Sequence, residues 1–143
     1  MNDVAARGST AAALLWLGMV LAISFLEAPL KFRTPGLDLR TGLAMGRIVF
    51  RALNAAEIVW AAVIAVALIA DAPPSTAGTV AATTALVVLA VQLCGVRPRL
   101  ARHSERVLAG ADTPRSSAHH VYIGLELVKV LALAALGVAL LSG

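Results

Sequence analysis

Residues 117–141 read SAHHVYIGLELVKVLALAALGVALL, and this stretch decides the fold. A helix rises about 1.5 Å per residue and the hydrocarbon layer of a bilayer is about 30 Å thick, so roughly 20 apolar residues are needed to cross it. Residues 117–141 meet that length without a proline, and their only formally charged side chains are Glu126 and Lys129. Three further stretches satisfy the same test: roughly 9–30, 43–70 and 79–96. Polar, Pro- and Gly-containing clusters separate them: Arg33-Thr34-Pro35-Gly36, Asp71-Ala72-Pro73-Pro74-Ser75 and Thr113-Pro114-Arg115-Ser116-Ser117. Such clusters end helices because Pro lacks a donor, Gly tolerates a left-handed backbone, and Ser or Thr can cap. The expectation is an all-α integral membrane four-helix bundle, a single domain over residues 1–143.

Composition agrees. Of 143 residues, 59% are hydrophobic and 14% charged, against about half and a quarter in a soluble domain. A soluble enzyme, a disordered tail and a disulfide scaffold are excluded. The net charge of +4 with only 4% aromatic residues points to a membrane surface and not to nucleic acid, since stacking platforms are missing. Cys94 stands alone in an apolar run and reads as a small buried hydrophobe. The apolar stretch from Ala11 to Leu26 ends in Phe25-Leu26-Glu27 rather than in a small-x-small cleavage site, so it reads as a retained span.

Charge placement orients the bundle. Lys31, Arg33, Arg40, Arg47, Arg51, Arg97, Arg99, Arg102, Arg106 and Arg115, ten of the 12 basic residues, lie in or beside the first and third loops. The positive-inside rule puts those loops in the cytoplasm and both termini outside, which in a bacterium means the inner membrane. Between the third and fourth spans, Arg99, Arg102, His103 and Arg106 share one side of a short helix, expected to rest on anionic headgroups. No internal repeat stands out, which speaks against an inverted-repeat transporter.

The informative residues are ionisable groups inside the spans, which are expensive unless paired or wet. In the fourth span His119, Tyr122, Glu126 and Lys129 fall within roughly 80° of arc, and in the second Arg47, Arg51, Asn54 and Glu57 within roughly 120°. Ser24, Glu27 and Lys31 share a face of the first. Polar stripes cannot face lipid, so the three should face one another. They predict a funnel that opens to the cytoplasm and narrows to Glu57, Glu126 and Lys129 near the midplane, under a dry outer half. Two carboxylates and one amine leave one negative charge without a partner, so either a glutamate is protonated or a cation visits. The competing reading is structural: Lys129 pairs with Glu57 or Glu126, and Glu27 with Arg51, to fix helix register. A metal centre is not favoured, because neither Glu-x-x-His nor His-Glu-x-x-His occurs.

Several motifs resemble a known family. They are Trp16-Leu17-Gly18-Met19, Ser24-Phe25, Pro29-Leu30-Lys31-Phe32-Arg33, Gly46-Arg47-Ile48-Val49-Phe50, Arg97-Pro98-Arg99 and His119-His120. Their order is similar to that of the transmembrane protein 205-like family, whose bacterial branch is a domain of unknown function. The resemblance implies four spans with a polar stretch between the third and fourth, and it brings no catalytic residues. The functional expectation is binding or transport of a proton, a cation or a small amphipathic cation, with Glu27, Arg51, Asn54, Glu57, His119, Tyr122, Glu126 and Lys129 as site residues. The expected partners are the lipid bilayer and either a second copy or another membrane subunit. The alternatives are an accessory subunit whose charges only fix packing, and an enzyme acting on a lipid or quinone headgroup.

Overall fold

A computed structural model describes residues 3–70, 75–110 and 117–143, without the side chain of Ser117. Helix α1 (Asp3–Val20) runs through a π-helical segment (Leu21–Glu27) into α2 (Ala28–Lys31), and together they form the first span. Helix α3 (Leu39–Ala70) is the second span. Helix α4 (Thr76–Val91), a second π segment (Gln92–Val96) and α5 (Arg97–Leu108) form the third. Helix α6 (Ser117–Ser142) is the fourth. All four are long and apolar enough to cross a membrane. The expected breaks at 71–74 and 113–116 lie outside the described residues.

The observed ends have local causes. After Lys31 the chain turns at Gly36, whose φ of +81° suits glycine. Asp38 then starts α3: its Oδ1 accepts from the Thr41 amide at 2.7 Å. The bonds from Thr41 hold this exposed carboxyl below the ordinary carboxylate range. Ser75 caps α4 in the same manner, with Oγ accepting from the Gly78 amide at 3.1 Å.

The short basic helix expected after the third span is α5. It continues from the second π segment with α-helical backbone at both joining residues. The run Thr76–Leu108 is 33 residues and α3 is 32, so each reaches roughly 50 Å, well beyond the hydrocarbon layer. Their basic ends lie side by side, and Arg47 meets Glu105 there at 3.3 Å.

Burial is inverted relative to a soluble domain. Ile48, Val66, Ile69, Leu131 and Val138 are exposed, whereas Glu57, Gln92, Glu126 and Lys129 are buried. A bundle with polar groups inside and aliphatic ones outside is suited to lipid. Packing around the polar centre uses small residues: Ala12, Ala13, Ala81, Ala82 and Ala85 let the helices approach around Trp16, Leu133 and Leu136. Cys94 corrects the expectation made for it, because it is exposed on the outer face of the third span.

The structure also corrects the absence of a repeat. Pro98 stands 69 residues after Pro29, and Glu126 stands 69 residues after Glu57. At that same offset the two π segments end together, at Glu27 and Val96, two residues before each proline. Their closing bonds correspond as well: Ala28 N–H donates to the Ile23 carbonyl, and Arg97 N–H to the Gln92 carbonyl. The cause is common to both. A proline removes one donor and crowds the carbonyl four residues back, and a wider turn just before it relieves the clash. Buried positions match too: Ala12 with Ala81, Ala13 with Ala82, Val20 with Leu89, Leu53 with Tyr122 and Ile64 with Leu133. The bundle is therefore two helical hairpins of one plan and the same direction, a parallel repeat and not an inverted one. Helix α1 packs on α6 of the other hairpin as well as on α3, whereas α4 packs chiefly on α6 of its own hairpin. Most repeated positions are alanine, valine or leucine, so the sequence alone does not single the pairing out.

Candidate functional site

At the centre of the bundle, Glu57, Gln92 and Lys129 are 0% exposed and Glu126 is 1% exposed. Lys129 projects from α6 and its Nζ reaches three oxygens. They are Glu57 Oε1 on α3 at 2.5 Å, Glu126 Oε1 one turn away on α6 at 2.5 Å, and Gln92 Oε1 in the third span at 2.8 Å. An ammonium has three N–H donors, and all three are used. Gln92 fits because its amide is bifunctional: it accepts from Lys129 and donates from Nε2 to Glu126 Oε1 at 2.9 Å. From the first span, Trp16 Nε1 donates to Glu57 Oε1 at 3.3 Å. One lysine thus draws groups from all four spans together.

Arg97 supplies the second cation. Its guanidinium lies 3.5 Å from Glu57 Oε2, donates to Tyr122 Oη at 3.1 Å and to the Phe50 carbonyl at 3.4 Å. It also stands over the Phe50 and Tyr122 rings, which meet edge to face. Two carboxylates now face two cations. The single unpartnered negative charge expected from the sequence is corrected: Arg97, read there as a loop charge, closes the balance.

The expected funnel is corrected as well. Arg97, Phe50 and Tyr122 cover the cluster on its basic side, and the charged groups beneath them are sealed by packing rather than open to an aqueous mouth. Arg51 is exposed, and Glu27 pairs instead with Lys31 at 3.4 Å. Four helical residues separate those two on one face, whereas Arg51 lies on the outer side of α3. His119 is half-buried, with its ring edge to face with His120. Glu57, Glu126 and Lys129 come together as the stripes predicted, with Tyr122 beside them through Arg97.

Several buried polar atoms have no hydrogen-bond partner among the described residues. They include Glu57 Oε2, Glu126 Oε2, Asn54 Oδ1 and Ser24 Oγ. Ser24 lies beside Glu126 and Tyr122. Ser24 carries a hydroxyl donor within reach of those two groups, and the remaining carboxylate and amide oxygens call for a donor from elsewhere: a proton, a water or a ligand.

Sequence reasoning missed Trp16, Gln92 and Arg97. Gln92 is visible as an amide in an otherwise apolar run. Its relation to Arg97 is not, because five residues on an α-helix are about 140° apart. The π turn bonds Arg97 N–H to the Gln92 carbonyl and stacks the two on one side.

Replacing Lys129 should leave two buried carboxylates face to face. Lys129→Met is expected to destabilise the bundle by about 3–5 kcal/mol, read from denaturant unfolding in mixed micelles by circular dichroism. Adding Glu126→Gln should recover much of that loss, because Arg97 and Glu57 then balance. A loss under about 1 kcal/mol in the single variant would contradict the shared-ammonium geometry. Compared with family models, with curated proteins and with solved structures, the chain gives no match.

Proposed function

We propose that this small multi-pass membrane protein binds a proton or small cation at the Glu57–Glu126–Lys129 cluster and passes it between the two ends of the bundle. One observation carries the reading. Two buried carboxylates share a single ammonium, and each keeps one oxygen without a hydrogen bond. A proton moved among Lys129, Glu57 and Glu126 changes which group is charged without lengthening any path beyond hydrogen-bond reach. Groups held so close, away from water, are arranged as in proton relays and cation sites.

A second reading is supported by Arg97. With it the cluster is neutral and touches all four spans, which suits a device that only fixes helix register. Flux separates the two. In liposomes enclosing a pH dye, with potassium and valinomycin holding the voltage, the full chain should dissipate an imposed pH gradient, either alone or when sodium is supplied on one side. Glu57→Gln and Glu126→Gln should each slow this by about tenfold or more, with helicity retained. Wild-type rates equal to those of protein-free liposomes in both arms would leave only the packing role.

The orientation belongs to the same proposal. The basic ends of α3 and α5, with Lys31 and Arg33, face the cytoplasm, and the termini lie outside. A reporter fused after Gly143 should be active only when exported. Activity in the cytoplasm would reverse the assignment.

A further inference from the structure

The two hairpins follow one plan, so Glu57 and Glu126 are equivalent positions, and their surroundings can be compared atom by atom. Each accepts a hydrogen bond from the first helix of its own hairpin: Glu57 from Trp16 and Glu126 from Gln92. Both share Lys129. Glu57 has a third partner from the other hairpin, the Arg97 guanidinium at its Oε2. The residue equivalent to Arg97 at the 69-residue offset is Ala28. On that side Glu126 Oε2 is buried and has no hydrogen-bond partner among the described residues. Ser24 Oγ, one turn from Ala28, is buried as well, and its hydroxyl acts on the Glu126 carboxylate beside it. Where one half supplies a guanidinium, the other presents a methyl group, a bare carboxylate oxygen and a hydroxyl.

We propose that the Glu126–Ser24–Ala28 side of the cluster is a binding site for a small organic cation with N–H donors, a guanidinium or primary ammonium group. This names the ligand class for the site proposed above and rests on that reading. Arg97 at Glu57 is the internal precedent for the chemistry. A guanidinium is planar and weakly hydrated, and it offers one N–H to Glu126 Oε2 and another to Ser24 Oγ. Glu126 itself is buried, so the cation enters past the end of the first span, where Ala28 is half-buried and Pro29 and Leu30 are exposed.

Charge balance then dictates a consequence. Glu57, Glu126, Lys129 and Arg97 sum to zero, and a surplus charge in this dry interior is costly. An arriving cation therefore expels a proton. An N–H bond of Lys129 breaks, the electron pair stays on Nζ, and the proton leaves to water. The neutral amine keeps two N–H donors for Glu57 and Gln92, while the ligand takes over Glu126. One cation enters for each proton released.

The test is calorimetric titration of methylguanidinium chloride into the full chain in detergent, in two buffers of different ionisation heat. Wild type should show one saturable site and release about one proton per cation bound. Glu126→Gln should weaken binding by about tenfold or more. Ala28→Arg should do the same, by installing the missing guanidinium. Arg97→Ala should raise the stoichiometry from one site to two, which also shows that the probe reaches this depth. Binding by Arg97→Ala but none by wild type would overturn the site, as would unchanged affinity in Glu126→Gln. Binding without proton release would overturn the exchange. Intact proton flux in liposomes with no methylguanidinium binding would end this inference and leave the broader function standing.

Discussion

The bundle depends on one buried ammonium. Lys129 Nζ uses all three donors on groups from three places in the chain, and one of its acceptors is bonded in turn to Trp16 of the first span. In lipid no hydrophobic drive brings helices together, so small-residue packing and interhelical hydrogen bonds must do it. The alanines around Trp16, Leu133 and Leu136 provide close approach, but alanine faces alone set register weakly. A charged centre sets it strongly, because sliding one helix by a turn strands a carboxylate or an ammonium in a dry interior.

The second organising feature is a repeat with unequal halves. Each hairpin has the same proline-linked π turn, the same small buried positions and the same glutamate. Both cations and the amide come from the second hairpin: Gln92, Arg97 and Lys129. The first hairpin offers Ile23, Ala28 and Trp60 at those positions. The two glutamates thus begin equivalent and end in different environments, one held by Arg97 and the other beside Ser24. Environments that diverge around like groups are how a fold separates their roles.

Much of the fold was legible in the sequence. Four apolar stretches gave the spans, and the stripes on the second and fourth brought Glu57, Glu126 and Lys129 together. That worked because α3 and α6 are regular helices, where a 3.6-residue period holds. It failed where the period changes. The π turns at Leu21–Glu27 and Gln92–Val96 rotate the helix C-terminal to them, so Arg97 swings from the loop charges into the cluster. Pro29 and Pro98 are the visible marks of those turns, but a proline in a span signals equally a kink or an end. The repeat was hidden for a different reason: an apolar span draws on few residue types, so chance matches mask real ones.

The claim that one ammonium is shared by two carboxylates can be measured directly. Solid-state NMR of the full chain in a bilayer, with 15N-labelled lysine and 13C-labelled glutamate, reports both the protonation of Lys129 Nζ and the carboxyl carbons near it. Without added ligand, the expected spectrum shows a protonated ammonium with dipolar contacts to the Cδ of both Glu57 and Glu126, each assigned by its loss in the corresponding Glu→Gln variant. A neutral amine, or contact with only one of the two, would contradict it.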